Sequence, residues 1–272
     1  MSPSTSPVRQ PAVAGRFYPR DAGELERTVK SLIGPGPAQP ALGIVVPHAG
    51  YMYSGRVAGQ VYGSVELPGA FVIIGPNHTG LGPAAAIMTA GVWRMPAGDV
   101  LIDTELAGDV LENSRLLEEN SSAHLYEHSI EVQLPFLQYL KGNPLIVPIC
   151  VMITEADQCR DIGLAVAAAV REFPAPVLII ASSDMSHYES QAAARQKDEL
   201  ALEQIFALDP AGLLATTHEN HISMCGAAPV AAMLVACNDL GAKSAKLVRY
   251  ETSGDVTGDF RQVVGYAGVT VS

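Results

Sequence analysis

Four short apolar runs punctuate the chain, each with the length and β-branching of a buried strand: Leu42 to Val46, Ala70 to Ile74, Pro144 to Val151 and Val177 to Ala181. Between them lie longer stretches that read as helices. Asp21 with Glu24 three residues on is an N-cap signal for a helix ending near Leu32. Further helices are expected over about Gly55 to Tyr62, Asp103 to Asn113, His128 to Leu140, Glu155 to Phe173, Gln191 to Leu208 and Ala227 to Leu240. Two last strands are expected near Ala245 to Tyr250 and Gln262 to Val271, whereas Trp93 to Leu101 reads as a less regular excursion over the sheet. His218 to Gly226 is expected to be a loop. Strands and helices alternate with no linker-like break, so the pattern predicts a single α/β domain over residues 12–272, with a central mostly parallel or mixed sheet. The first eleven residues, rich in Ser and Pro, are expected to form a disordered tail.

Composition agrees with a folded core: of 272 residues, 48% are hydrophobic and only 17% charged. The net charge of −11, with no cluster of Lys and Arg, argues against a nucleic-acid partner and against an anionic membrane surface. No apolar run is long enough to cross a bilayer, and the N-terminus lacks the apolar core of a secretory signal. Cys150, Cys159, Cys225 and Cys237 show no C-x-x-C pairing, which suits reduced thiols and a cytoplasmic setting.

The strand ends share a polar character. The first run is stopped by Pro47 and leads into His48; the second ends in Gly75-Pro76-Asn77-His78; the fourth ends in Ser182-Ser183-Asp184-Met185-Ser186-His187. In an open α/β sheet, the crevice beyond the carboxyl ends of the strands is where ligands bind. Cys225 precedes a helix, whose dipole would favour its thiolate. Imidazole and thiolate suit iron, zinc or copper(I) better than magnesium or calcium. The plainer reading stays open: a lone histidine often caps a strand, and free cysteines are often buried apolar residues. A phosphate-binding G-x-x-x-x-G-K-[ST] loop is absent, so no nucleotide cofactor is expected. The H-E-x-x-H helix and the G-x-S-x-G elbow are absent too. His124, His218 and His221 read as surface or loop residues. His128 and Glu131 fall three apart on one face of a predicted helix, with packing or hydrogen bonding behind a metal ligand as their only evident role.

Several blocks together resemble the MEMO family: Ala14-Gly15-Arg16-Phe17-Tyr18-Pro19, Pro47-His48-Ala49-Gly50-Tyr51 with Tyr53-Ser54-Gly55, Gly75-Pro76-Asn77-His78, and Glu127-His128-Ser129 through Pro135-Phe136-Leu137. Ser182 to Tyr188, Met224-Cys225-Gly226 and Tyr250 to Asp255 complete the series in the family's order. The chain looks like a prokaryotic member, the B protein of the AmmeMemoRadiSam system. The resemblance implies a fold similar to class III extradiol dioxygenases of the LigB type, in which two histidines and a glutamate hold iron(II). It places His48 and His78 at the metal histidines, His187 at the acid/base and Cys225 where those enzymes carry the glutamate. A thiolate in place of a hard oxygen shifts preference toward softer states such as copper(I). Asp184 would orient a ring N–H, and Tyr51, Tyr53 and Asn77 would line a substrate pocket. The implied activity is an oxidoreductase acting on a small aromatic substrate; the alternative is a metal- or peptide-binding protein without turnover, docking another AmmeMemoRadiSam protein. A cysteine amidase built on Cys225, His187 and Asp184 is a weaker third reading.

Overall fold

The structure is a computed structural model that describes residues 7–272. It opens with a two-residue strand, β1 (Val8–Arg9), and a helix, α1 (Ala22–Leu32), whose N-cap Asp21 accepts from the Glu24 N–H at 2.8 Å. Next come β2 (Gly43–Val46), α2 (Tyr51–Ser64) and β3 (Ala70–Pro76), then three short strands, β4 (Ala85–Ile87), β5 (Val92–Met95) and β6 (Gly98–Ile102). Helix α3 (Thr104–Asn113), strand β7 (Glu118–Glu119) and two 3-10 turns, Ser122–His124 and Glu131–Gln133, lead to α4 (Leu134–Lys141). The second half runs β8 (Leu145–Val151), α5 (Ala156–Glu172), β9 (Val177–Ser182), β10 (His187–Glu189), α6 (Gln191–Phe206), α7 (Pro210–Glu219) and α8 (Ala227–Asp239). It closes with β11 (Ala245–Thr252), α9 (Gly254–Thr257) and β12 (Val263–Val271).

Among the described residues the strands form one twelve-stranded mixed sheet. Its centre is parallel, in the order β8-β3-β9-β2, with Ile74 opposite both Ile149 and Ala181, and Val45 also opposite Ala181. Parallel strands need crossover helices and end up covered on both faces, which is why these four read as apolar runs without alternation. Helix α8 packs on β3, β9 and β2, while α2 packs on β2 and β12. Because β2, β3 and β9 run the same way, the residues just past them (His48, His78 and Asp184) are delivered to one rim. That is the structural origin of the site.

Several expectations need correcting. The predicted tail lies outside the described residues only for 1–6; Val8 and Arg9 pair in parallel with Val92 and Trp93, and Arg9 is fully buried. The stretch from Trp93 to Leu101 is a regular antiparallel hairpin of β5 with β6, continuing the sheet rather than crossing over it. His128 is not in a helix: the chain from Glu127 to Ile130 is irregular, and α4 begins only at Leu134. The loop expected from His218 onward is preceded by an unpredicted helix, α7, which Pro210 starts at its first position with Asp209 as cap.

Candidate metal centre

His48 is buried, 2% exposed, and both its main chain and its ring are held. Its main-chain N–H donates to the Asp184 carboxylate at 2.7 Å, and its Nδ1 lies 2.9 Å from Ser182 Oγ. Ser182 fixes the tautomer. Its hydroxyl proton goes to the Ser129 carbonyl at 2.6 Å and it accepts from Gln133 Nε2 at 2.9 Å. The Gln133 amide is itself oriented by the Pro47 carbonyl and the Tyr62 hydroxyl. The only role left for Ser182 toward His48 is acceptor, so Nδ1 carries the proton and Nε2 presents a lone pair. Burial, reinforced by the neighbouring rings of His128 and His78, holds the His48 pKa well below its ordinary value. A neutral imidazole with a directed lone pair is the ligating form.

His78 is half-exposed at the mouth of the site and is gripped by Glu127. The carboxylate accepts from both the main-chain N–H of His78 and its Nδ1, the latter at 3.0 Å, so Nε2 is again the free nitrogen. Glu127 also accepts the N–H groups of His128 and Ser129, each at 2.8 Å. Burial alone would raise the Glu127 pKa, but these donors outweigh it and bring the carboxyl down to about 2. For His78, burial lowers the pKa, yet the Glu127 carboxylate prevails and the net shift is upward. Gly75 lets the Ser129 loop approach: a Cβ there would strike the Ser129 side chain, whose hydroxyl donates to Pro76 O at 2.8 Å.

His128 closes the group. Its ring stacks on His78, with centroids 4.7 Å apart, and stands edge-on to His48 at 5.5 Å. Burial lowers its pKa as well. One ring nitrogen from each of His48, His78 and His128 lies within 4.8 Å of the others, which is the spread of a site able to hold a metal ion. Three imidazoles, each neutral when it ligates, suit zinc, copper, iron or nickel, and they leave coordination positions open.

Cys225, expected as the third ligand, lies against His48 and lines the same cleft as His78. Its Sγ is 3.3 Å from His48 Nε2 and accepts the Asp184 N–H at 3.4 Å. The expected dipole-favoured thiolate is not realised. Burial, with the Asp184 carboxylate nearby, pushes the thiol pKa up, so the sulfur is protonated unless a cation joins it. An upward shift is the reverse of what the amidase reading needs. Asp184 does not orient a ring N–H; it accepts from the main chain of His48, and burial raises its pKa to about 6. His187 donates Nδ1–H to Ser223 O at 2.9 Å, leaving Nε2 free, and follows Asp184 by three residues. The next residue, Tyr188, sits at φ 60° and is 75% exposed, a left-handed conformation costly for a tyrosine and held at the bulged pairing of β10 with β12.

The three residues expected to touch substrate fall in different places. Tyr51 faces the core: its hydroxyl donates to Val132 O at 2.6 Å and its ring packs on Phe136. It is buried because α2 begins at Tyr51, earlier than expected, which turns this side chain inward. Tyr53 is half-buried near Tyr266. Asn77 lines the cleft beside His78, as expected, while its amide serves its own loop, accepting from the N–H groups of Thr79 and Gly80 and donating to Leu81 O. A cleft of about 990 Å³ opens from His78 and Cys225 and runs past Thr154 and His218 between β8 and α7.

A model of the Memo-like protein family matches residues 9–270. The chain belongs to this family. Among relatives, a MEMO1 family protein of Methanopyrus kandleri is 43% identical over 276 residues, covering 96% of this chain and 98% of its own length. One from Methanothermobacter thermautotrophicus is 43% identical over 273 residues, covering 96% and 99%. One from Methanococcoides burtonii is 44% identical over 267 residues, covering 97% and 100%. A solved structure of an uncharacterized protein from Escherichia coli K12 superposes with a TM-score of 0.53 over 84% of this chain and 98% of that one, at 13% identity, and so shares the α/β fold alone. Within the Memo sequence blocks, Glu127 has no evident role and His128 only one of packing or hydrogen bonding behind a metal ligand. Their pairing with His78, a strand end some fifty residues earlier, has no local signal. Among the described residues no helix is long and apolar enough to cross a membrane.

Proposed function

We propose that this Memo family protein binds one redox-active transition metal ion, iron(II) or copper, and acts as a dioxygenase-like oxidoreductase on a small aromatic substrate. The observation that carries the reading is the triad of imidazoles whose ring nitrogens lie within 4.8 Å of one another, two of them with tautomers that leave Nε2 unprotonated. His48, His78 and His128 would hold the ion, and Ser182 and Glu127 would keep the first two rings in ligating orientation. Bound there, the ion would supply Lewis acidity and one-electron chemistry. Hard ions fit poorly, since the three imidazoles offer nitrogen donors rather than the oxygens such ions prefer. His187, with Nδ1–H anchored on Ser223 O, offers Nε2 as the base for a phenolic proton, a contribution of typically ~10²–10⁴-fold. The cleft beyond His78 and Cys225 is large enough for a drug-sized ligand.

The test is anaerobic loading with iron(II) or copper(I), followed by exposure to catechol-type substrates and oxygen. One ion per chain is expected, with a ring-cleavage chromophore that is lost in His187→Gln while the ion is retained. Tight loading with no turnover of any diol would favour the binding protein without turnover, and failure to load would remove both.

A further inference from the structure

The loop from His124 to Glu131 delivers both Glu127 and His128, yet it has almost no regular structure of its own. What holds it is Arg9. The guanidinium of this buried residue donates Nε–H to the His124 carbonyl at 3.0 Å and Nη2–H to the Glu127 carbonyl at 2.6 Å, and pairs through Nη1 with the Glu131 carboxylate. Its face lies 4.3 Å from the Trp93 ring centroid. Glu131 extends the clasp by accepting the N–H groups of Ala12 and Val13, at 2.7 and 3.0 Å, and the Tyr18 hydroxyl. Phe17 then sets its ring edge-on to His128, 4.8 Å away. One arginine on a two-residue edge strand thus grips three points of the loop, and the segment C-terminal to it walls the third imidazole.

We infer that the N-terminal segment from Arg9 to Tyr18 is a working part of the metal centre, and that Arg9 is a positioning residue that sets metal affinity by holding Glu127 and His128 in register with His78. The inference rests on the three-imidazole reading proposed above. The chain of contacts is short: Arg9 holds the Glu127 main chain, the Glu127 carboxylate holds the His78 ring and the His128 N–H, and the two rings stack. Groups that brace metal ligands in this way typically change metal affinity by ~10–100-fold when removed. Lysine at this position keeps the charge opposite Glu131 but has no planar fork with which to reach the two carbonyls as well.

Cobalt(II) serves as the probe, its visible absorption reporting both occupancy and ligand field. In Arg9→Lys, the apparent Kd for cobalt(II) is expected to rise at least about tenfold. Arg9→Met is expected to lie at or beyond the upper end of that range, with the circular dichroism of both variants unchanged. Ile162→Ala, a core truncation in α5 away from this loop, is the control for mere destabilisation. It should lower the thermal midpoint and leave cobalt affinity within twofold of the parent. Should Arg9→Met not fold, Arg9→Lys against Ile162→Ala decides the matter alone. Parent-like affinity in Arg9→Lys, or an equal loss in Ile162→Ala, overturns the positioning role while leaving the metal site standing. A parent protein that takes up no cobalt overturns the metal site itself.

Discussion

His124 shows how one residue can be placed against its own chemistry. Its sequence context suggests the surface; in the structure it is fully buried, edge-on to Trp93, and neither ring nitrogen has a partner. It is there because its main-chain carbonyl is one of the three points that Arg9 grips. Burial, helped by the Arg9 charge, lowers its pKa to about 3. The unfolded chain therefore takes up a proton near the ordinary histidine value of about 6.5, while the folded one refuses it until much lower pH. The stability associated with the neutral ring is complete above that ordinary value and is lost as pH falls toward 3. His124→Phe keeps the aromatic contact and removes both the orphaned nitrogens and the titration. Urea unfolding should find it more stable than the parent by about 1–3 kcal/mol at pH 8, with a larger margin at pH 4.5. A margin that does not grow on acidification would mean that His124 is not a source of acid sensitivity.

At the scale of elements, the four apolar strands and most helices were legible because each is a local pattern: a buried run, a capping acid, a proline stop. The helix after Asp209 was not, since the same Asp-Pro pair that ends α6 also starts α7. The hairpin of β5 and β6 was blurred by mixed polar and apolar positions that only tertiary pairing resolves. In the site, His48 and His78 were legible as strand-end residues. His128 was not, because an irregular loop has no periodicity and its partner in stacking is distant in sequence. The packing of α2 on α1 is likewise a tertiary matter and can be tested. Gly59 lies so close to the Leu32 carbonyl that any Cβ would overlap it, although its helical backbone is ordinary. Gly59→Ala gains helix propensity worth about 1 kcal/mol but must push α1 away. A net loss of about 1–3 kcal/mol is expected in chemical denaturation, as for other overpacked interiors. A stabilised variant would show that the two helices separate freely.

For the molecule as a whole, one parallel sheet edge gathers the chemistry and a short N-terminal segment secures it from far away in sequence. The chain carries a net charge of −11, yet the residues that meet at this rim are mostly neutral rings, two of them kept uncharged by burial. Such a centre is preformed, so an ion bound there adds to folding stability by mass action, by about 2.7 kcal/mol at a free concentration a hundred times its Kd. Extended X-ray absorption on protein loaded with one equivalent of iron(II) or copper(I), run alongside His128→Ala, tests the central claim most directly. Three imidazole nitrogens at roughly 2.0–2.1 Å from the ion are expected in the parent and two in the variant, with weaker binding. Two imidazoles with a sulfur at roughly 2.3 Å, unchanged in His128→Ala, would contradict the three-imidazole centre and return the third position to Cys225.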